Sequence, residues 1–106
     1  MNSPLKILHV MSARRFVGEA AHALDACEEL AVRGHAAEVM VRAGFDVEAE
    51  ARRRGIPHTP AWMESRFHPI HDLQDILRLR ARIRAFRPDV LHAHRGKDHW
   101  IAAAAL

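Results

Sequence analysis

The sequence predicts a three-layer α/β fold around a parallel sheet of about four strands. Three observations carry that expectation. Short apolar runs rich in branched residues alternate with longer segments of 3.6-residue period. Glycine or proline punctuates the changes of period, at Gly18, Gly34, Gly44, Gly55 and Pro88. Strands separated by helices demand right-handed crossovers, and so parallel pairing.

The first run, Leu5 to Met11, reads as a buried strand, and Ser12 to Gly18 as a loop. From Glu19 to Arg33, Ala20, Ala23, Leu24, Cys27, Leu30 and Ala31 share one helical face, and Gly34 ends the helix. Ala37 to Ala43 is a second strand. Asp46 is expected to cap the next helix, with Glu48 and Glu50 in its first turn and Arg52 to Arg54 in its last. Ile56 to Pro60 suits a short edge strand because of its prolines. Ala61 to Ile70 reads as a loop anchored by Trp62, Met63 and Phe67.

A long helix is expected from His71 to Arg87, burying Leu73, Ile76, Leu77, Leu79, Ile83 and Phe86, and stopped by Pro88. Asp89 to His94 is the fourth strand, and a last helix begins near His99. The first and fourth strands are the most apolar, which suits the middle of a sheet. The pattern is Rossmann-like, with strand order 3-2-1-4. The chain stops within an uncapped apolar helix, Ile101 to Leu106, and its apolar fourth strand asks for a further neighbour. Residues 1–106 are therefore expected to be one partial domain of a longer protein.

At 106 residues, 49% hydrophobic and 27% charged, the composition is that of a single globular domain. One cysteine, Cys27, excludes an internal disulfide framework and fits a reducing compartment. No run reaches the roughly 20 apolar residues of a membrane span, and no signal peptide is evident. A cytoplasmic location is expected. Net charge is only +3, and 14 of the 16 cations are arginines interspersed with acids, which argues against a nucleic-acid partner.

Candidate site residues follow from the fold. Gly18 opens the first helix, whose free N–H groups suit a phosphate or carboxylate; the competing reading, favoured in general, is a glycine that serves only a tight turn. Three glycines of a dinucleotide fingerprint are not present, so no nicotinamide or flavin cofactor is expected. His92 and His94 point the same way on one strand, with His94 at the carboxyl end where α/β folds bind ligands. His92 is read as buried and hydrogen-bonded, His94 as facing the ligand. A metal would need a third ligand, and no spacing among the nine histidines matches a zinc site, so none is expected. Arg14 and Arg15 lie beside Gly18 at the mouth of the cleft and suit an anion. Glu19 is the carboxylate beside it. Arg78, Arg80, Arg82, Arg84 and Arg87 read as a solvated face paired with Asp72 and Asp75, with membrane-surface or nucleic-acid attachment as the other reading.

The segments KILHVMSA, FVGEAAHALDACEELAVRGH, AEVMVRAG and RPDVLHAH, in this order and spacing, resemble the N-terminal domain of family 4 glycosyltransferases of the GT-B fold. The resemblance runs from Lys6 to the last residue. It implies transfer of a sugar from a nucleotide-diphosphate donor to an acceptor, with retention and usually without a metal ion. It also implies a C-terminal donor domain that no part of this sequence matches. Members usually carry two glycines before the first helix. Here the second is Gly18, and Val17 stands in place of the first. His94 matches the histidine that faces the transferred sugar, the catalytic candidate. Gly18, Glu19, Arg14 and Arg15 are candidates for substrate contacts. By this reading the 106 residues alone are inactive. A stand-alone α/β module for an anionic small molecule, and a basic nucleic-acid module, are the alternatives.

Overall fold

A computed structural model describes residues 4–106. Strand β1 is Lys6–Met11 and helix α1 Glu19–Val32. Strand β2 is Ala36–Arg42, helix α2 Asp46–Arg54 and strand β3 His58–Ala61. Helix α3 spans Pro69–Phe86, strand β4 Val90–Ala93 and helix α4 Gly96–Ala105. The four strands are parallel in the order β3-β2-β1-β4, which is the Rossmann-like α/β class and strand order that the sequence predicts.

Alternation along the central strands sorts the core into two layers. Met11, Val39 and Val41 face α1 and α2, where Ala20, Leu24, Cys27 and Val47 complete the packing. Leu8, Val10 and Met40 face the other way, against Leu79 of α3 and Ile101 of α4. Each fully buried side chain of this size contributes roughly 1.5–3 kcal/mol over an exposed one. Among the described residues no helix is long and apolar enough to cross a membrane.

Several boundaries differ from expectation, each for a local reason. Asp46 is not the cap of α2. Its N–H donates to the Arg14 carbonyl at 3.0 Å, so the backbone turns helical there and Phe45 takes the cap position. The Glu48 carboxylate then accepts from the Gly44 N–H at 2.8 Å. Helix α3 starts at Pro69 rather than His71, because His68 caps it through Nδ1, which accepts from the His71 N–H at 3.1 Å. Helix α4 starts at Gly96 rather than near His99, because the Asp98 carboxylate reaches back to the Arg95 N–H at 3.0 Å.

The larger correction concerns the face of α3. Leu73 and Leu77, expected in the core, are 56% and 53% exposed, while Asp72 and Asp75 are buried. Asp75 accepts from the backbone N–H groups of Trp62 and Met63 at 2.9 and 2.8 Å, and Arg78 stands at 3.3 Å. Asp72 takes the Lys97 ammonium at 2.5 Å and the His68 N–H at 2.9 Å. Buried carboxylates need such donors, and satisfying them rotates the helix so that Ile76, Leu79, Ile83 and Phe86 meet the sheet. Met63 anchors the preceding loop as expected, whereas Phe67 stands in solvent.

Two outcomes follow. Asp75→Ala and Leu79→Ala should each lower unfolding stability in urea by about 2–5 kcal/mol, and Leu73→Ala by less than about 1 kcal/mol. Burial pushes the Cys27 thiol up to about 11 from 9.0. The unfolded chain loses that proton first, so stability should be full below pH 9 and fall by on the order of 2–3 kcal/mol as pH rises toward 11. Cys27→Ala should remove that part of the pH dependence in the same urea titrations.

Candidate functional site

Parallel pairing gathers the carboxyl ends of all four strands on one edge, where open α/β sheets bind ligands. Ser12 follows β1, Arg42 ends β2, Trp62 and Met63 follow β3, and His94 and Arg95 follow β4. Asp98 ties this edge together. Its carboxylate accepts from the Ser12 N–H at 3.3 Å and the Arg95 N–H at 3.0 Å, joining the ends of β1 and β4 to the first turn of α4. The residue is fully buried, and burial raises its carboxyl above the ordinary aspartate range.

A hollow of about 270 Å³ sits on this edge, lined by Ser12, Arg14, Arg42, Met63, Ser65, Arg95 and Lys97. Arg14, Arg42 and Ser65 also border an adjoining hollow of about 380 Å³, together with Arg66 and the carboxylate of Glu64, which its hydrogen bond to His71 and, to a lesser extent, Arg42 hold below the ordinary range. Lys97 is held by Asp72, and Arg95 by Glu19 at 3.0 Å. Among the described residues neither Arg14 nor Arg42 has a carboxylate within 4.0 Å. The Arg42 guanidinium instead lies over the Phe45 ring, 4.7 Å from its centroid. Two guanidinium groups without a direct ion pair, over a concave polar floor, suit a phosphate or carboxylate.

Gly18 stands beside this edge at the start of α1. Its φ of 54° with ψ of −120° is a conformation that side-chain-bearing residues avoid, so the turn itself requires glycine. The space where a Cβ would project holds nothing within 4 Å. Its backbone is therefore open to an approaching group as well. Val17 points into solvent. The Glu19–Arg95 pair connects the start of α1 to the end of β4, bringing Gly18, Glu19 and His94 to one end of the sheet. Arg15 shares the exposed loop with Arg14 but does not line the cationic hollow.

His94 is half-buried. Burial and the neighbouring His92 lower its pKa, and Glu19 opposes them. His92 is not the buried, hydrogen-bonded histidine the sequence suggests. It is exposed on β4, the strand at the sheet edge. That buried role falls to His9 on β1, which lies directly opposite His92 in the strand register. His9 is 4% exposed, and its Nδ1 is 3.0 Å from Nε2 of His94.

Sequence reasoning missed His9, Arg42, Arg95, Lys97 and Asp98. The signal for Arg42 and Arg95 was present, since residues at the ends of parallel strands must share an edge. His9 needed the register itself.

A parallel α/β domain with a cationic carboxyl edge is the class that fold and site define. The fold is shared with the crystal structure of a glycosyltransferase from Rickettsia africae ESF-5, at a TM-score of 0.79, 20% identity and 98% coverage of this chain. This chain spans 27% of the length of that one. No curated protein matches the sequence. The model of Glycosyltransferase Family 4 matches residues 18–106, and the chain belongs to that family.

Asp98→Ala should leave the Ser12 and Arg95 N–H groups unpaired and cost about 2–4 kcal/mol in urea unfolding. Asp98→Asn, which keeps an acceptor oxygen, should recover much of that loss.

Proposed function

We propose that this chain is the acceptor-side part of a retaining glycosyltransferase, a transferase that moves a sugar from a nucleotide-diphosphate donor to an anionic acceptor. Family membership supports the transferase class. The observation that carries the anionic acceptor is the hollow in which Arg14 and Arg42 stand without carboxylate partners. In this reading Arg14, Arg42 and Lys97 take the acceptor's phosphate or carboxylate, while Arg15 and Glu19 border its path. Gly18 offers an open backbone to the donor phosphates, and His94 faces the sugar being transferred. A second domain holds the nucleotide. The coverage of only 27% of the matched glycosyltransferase supports that division. A nucleotide-sugar substrate and a thiol kept protonated in the core suit a cytoplasmic setting.

A stand-alone module for an anionic metabolite is the second reading, because the cationic hollow is built wholly from these residues. Sugar transfer by the 106 residues should be absent, and transfer by the reading frame extended downstream should be present. Turnover by the short form would refute the two-part account. Anion binding by both forms with transfer by neither would favour the binding module. In an active extended form, Arg14→Ala and Arg42→Ala should each raise the acceptor KM about tenfold, an effect of about 1.4 kcal/mol for a charged hydrogen bond.

A further inference from the structure

A second hollow, of about 480 Å³, lies on the α1 side of the sheet next to β4. Its walls include Ile7, Ala23, Ala26, Leu30 and Val90, which offer no polar side chain. Its polar side chains are imidazoles: His9, His92 and His94 on the sheet, and His22 on α1. The transferase reading gives His9 and His92 no task.

The placement of the three sheet histidines is dictated by parallel pairing. His9 and His92 are register partners on neighbouring strands, so their side chains leave the same face side by side. His94 follows two residues later and repeats that direction. The ring centroids lie 4.1 Å apart for His92 and His94, 5.1 Å for His9 and His92, and 5.2 Å for His9 and His94. One nitrogen from each ring lies within 4.8 Å of the other two. Nδ1 of His9 stands 3.0 Å from Nε2 of His94, which is already close to the spacing of two ligands on one ion. Nε2 of His9 is buried with no hydrogen-bond partner, in a residue that is 96% buried, and natural interiors rarely leave such an atom unsatisfied.

We propose that His9, His92 and His94 form a binding site for a divalent transition-metal ion of the zinc type. Three imidazoles favour zinc, cobalt, nickel or copper over magnesium or calcium, which prefer oxygen. Nitrogens about 2.0–2.1 Å from a tetrahedral ion stand roughly 3.3 Å from one another, so small side-chain rotations bring the three to a common point. Three histidines with an open fourth position are a ligand set of catalytic zinc sites. A fourth ligand would come from the hollow, as water or an anion, and His22 lines the same hollow.

The inference stands apart from the transferase reading, because ion binding is measured on the 106 residues without donor or acceptor. Cobalt(II) is the probe. One equivalent should produce the visible absorption of a four-coordinate nitrogen site. Zinc should displace it and raise the unfolding temperature. His92→Gln changes an exposed side chain and His94→Gln a half-buried one, so both variants should fold. Each should weaken cobalt binding roughly 10–100-fold or more, the range already seen for loss of an outer partner. His71→Gln is the control, since Glu64, His68 and His71 form another cluster of ligand-capable groups. Its affinity should be unchanged. No cobalt spectrum at millimolar ion overturns the proposal. So does affinity unaltered by His92→Gln and His94→Gln, or affinity lost only in His71→Gln.

Discussion

Pairing between β1 and β4 is the constraint on which the rest of this molecule depends. The two strands are separated in sequence by most of the chain, yet they lie side by side in register from Ile7–Val90 to Val10–Ala93. That register sets His9 against His92, brings Ser12 level with Arg95, and aligns the end of β4 with the start of α1. The buried Asp98 carboxylate locks the same junction by accepting from both strand ends. A carboxylate in an apolar interior is costly without donors. Its demand for the two N–H groups makes any other register of β4 expensive.

Much of this architecture is legible in sequence because strand and helix periods differ and the punctuation is strong. Gly34 and Gly55 sit just past α1 and α2, at φ of 85° and 68°, where only glycine is unstrained. The prolines of β3 agree with its place at the sheet edge. What could not be read is which residues of a helix face inward when charged groups find partners elsewhere in the chain. Leu73 and Leu77 look like core and Asp72 and Asp75 like surface by any hydropathy argument. The donors that reverse this assignment are two backbone amides after β3 and a lysine on α4. None of them is visible from α3 itself.

The candidate site divides the same way. Gly18, Glu19, Arg14 and His94 are legible because a strand–loop–helix unit fixes which end of the sheet they occupy. Arg42 and Lys97 are harder, because an arginine or lysine in a loop reads as solvated until its neighbours are known. His9 is hardest. Inside an apolar strand it looks like an interruption, and only the opposite strand shows it as one member of an imidazole cluster.

The charge distribution explains why an arginine-rich chain need not be a polyanion binder. Half of the 16 cations sit within 4.0 Å of a carboxylate, mostly on the exposed faces of α1, α2 and α3. Arg54 alone meets Asp25, Glu28 and Glu50, joining α1 to α2. Such pairs cancel the field at a distance, and each adds little stability where solvent screens it. Of the other eight, Arg14, Arg42 and Arg66 border the hollows at the carboxyl edge, while Arg80, Arg84 and Arg87 lie on or just after α3. The part of the unpaired charge that lines a concave recess favours a small anion that can enter it. A duplex, by contrast, needs a broad convex or grooved stripe of charge. The same edge carries the free start of α1, whose dipole adds to the attraction.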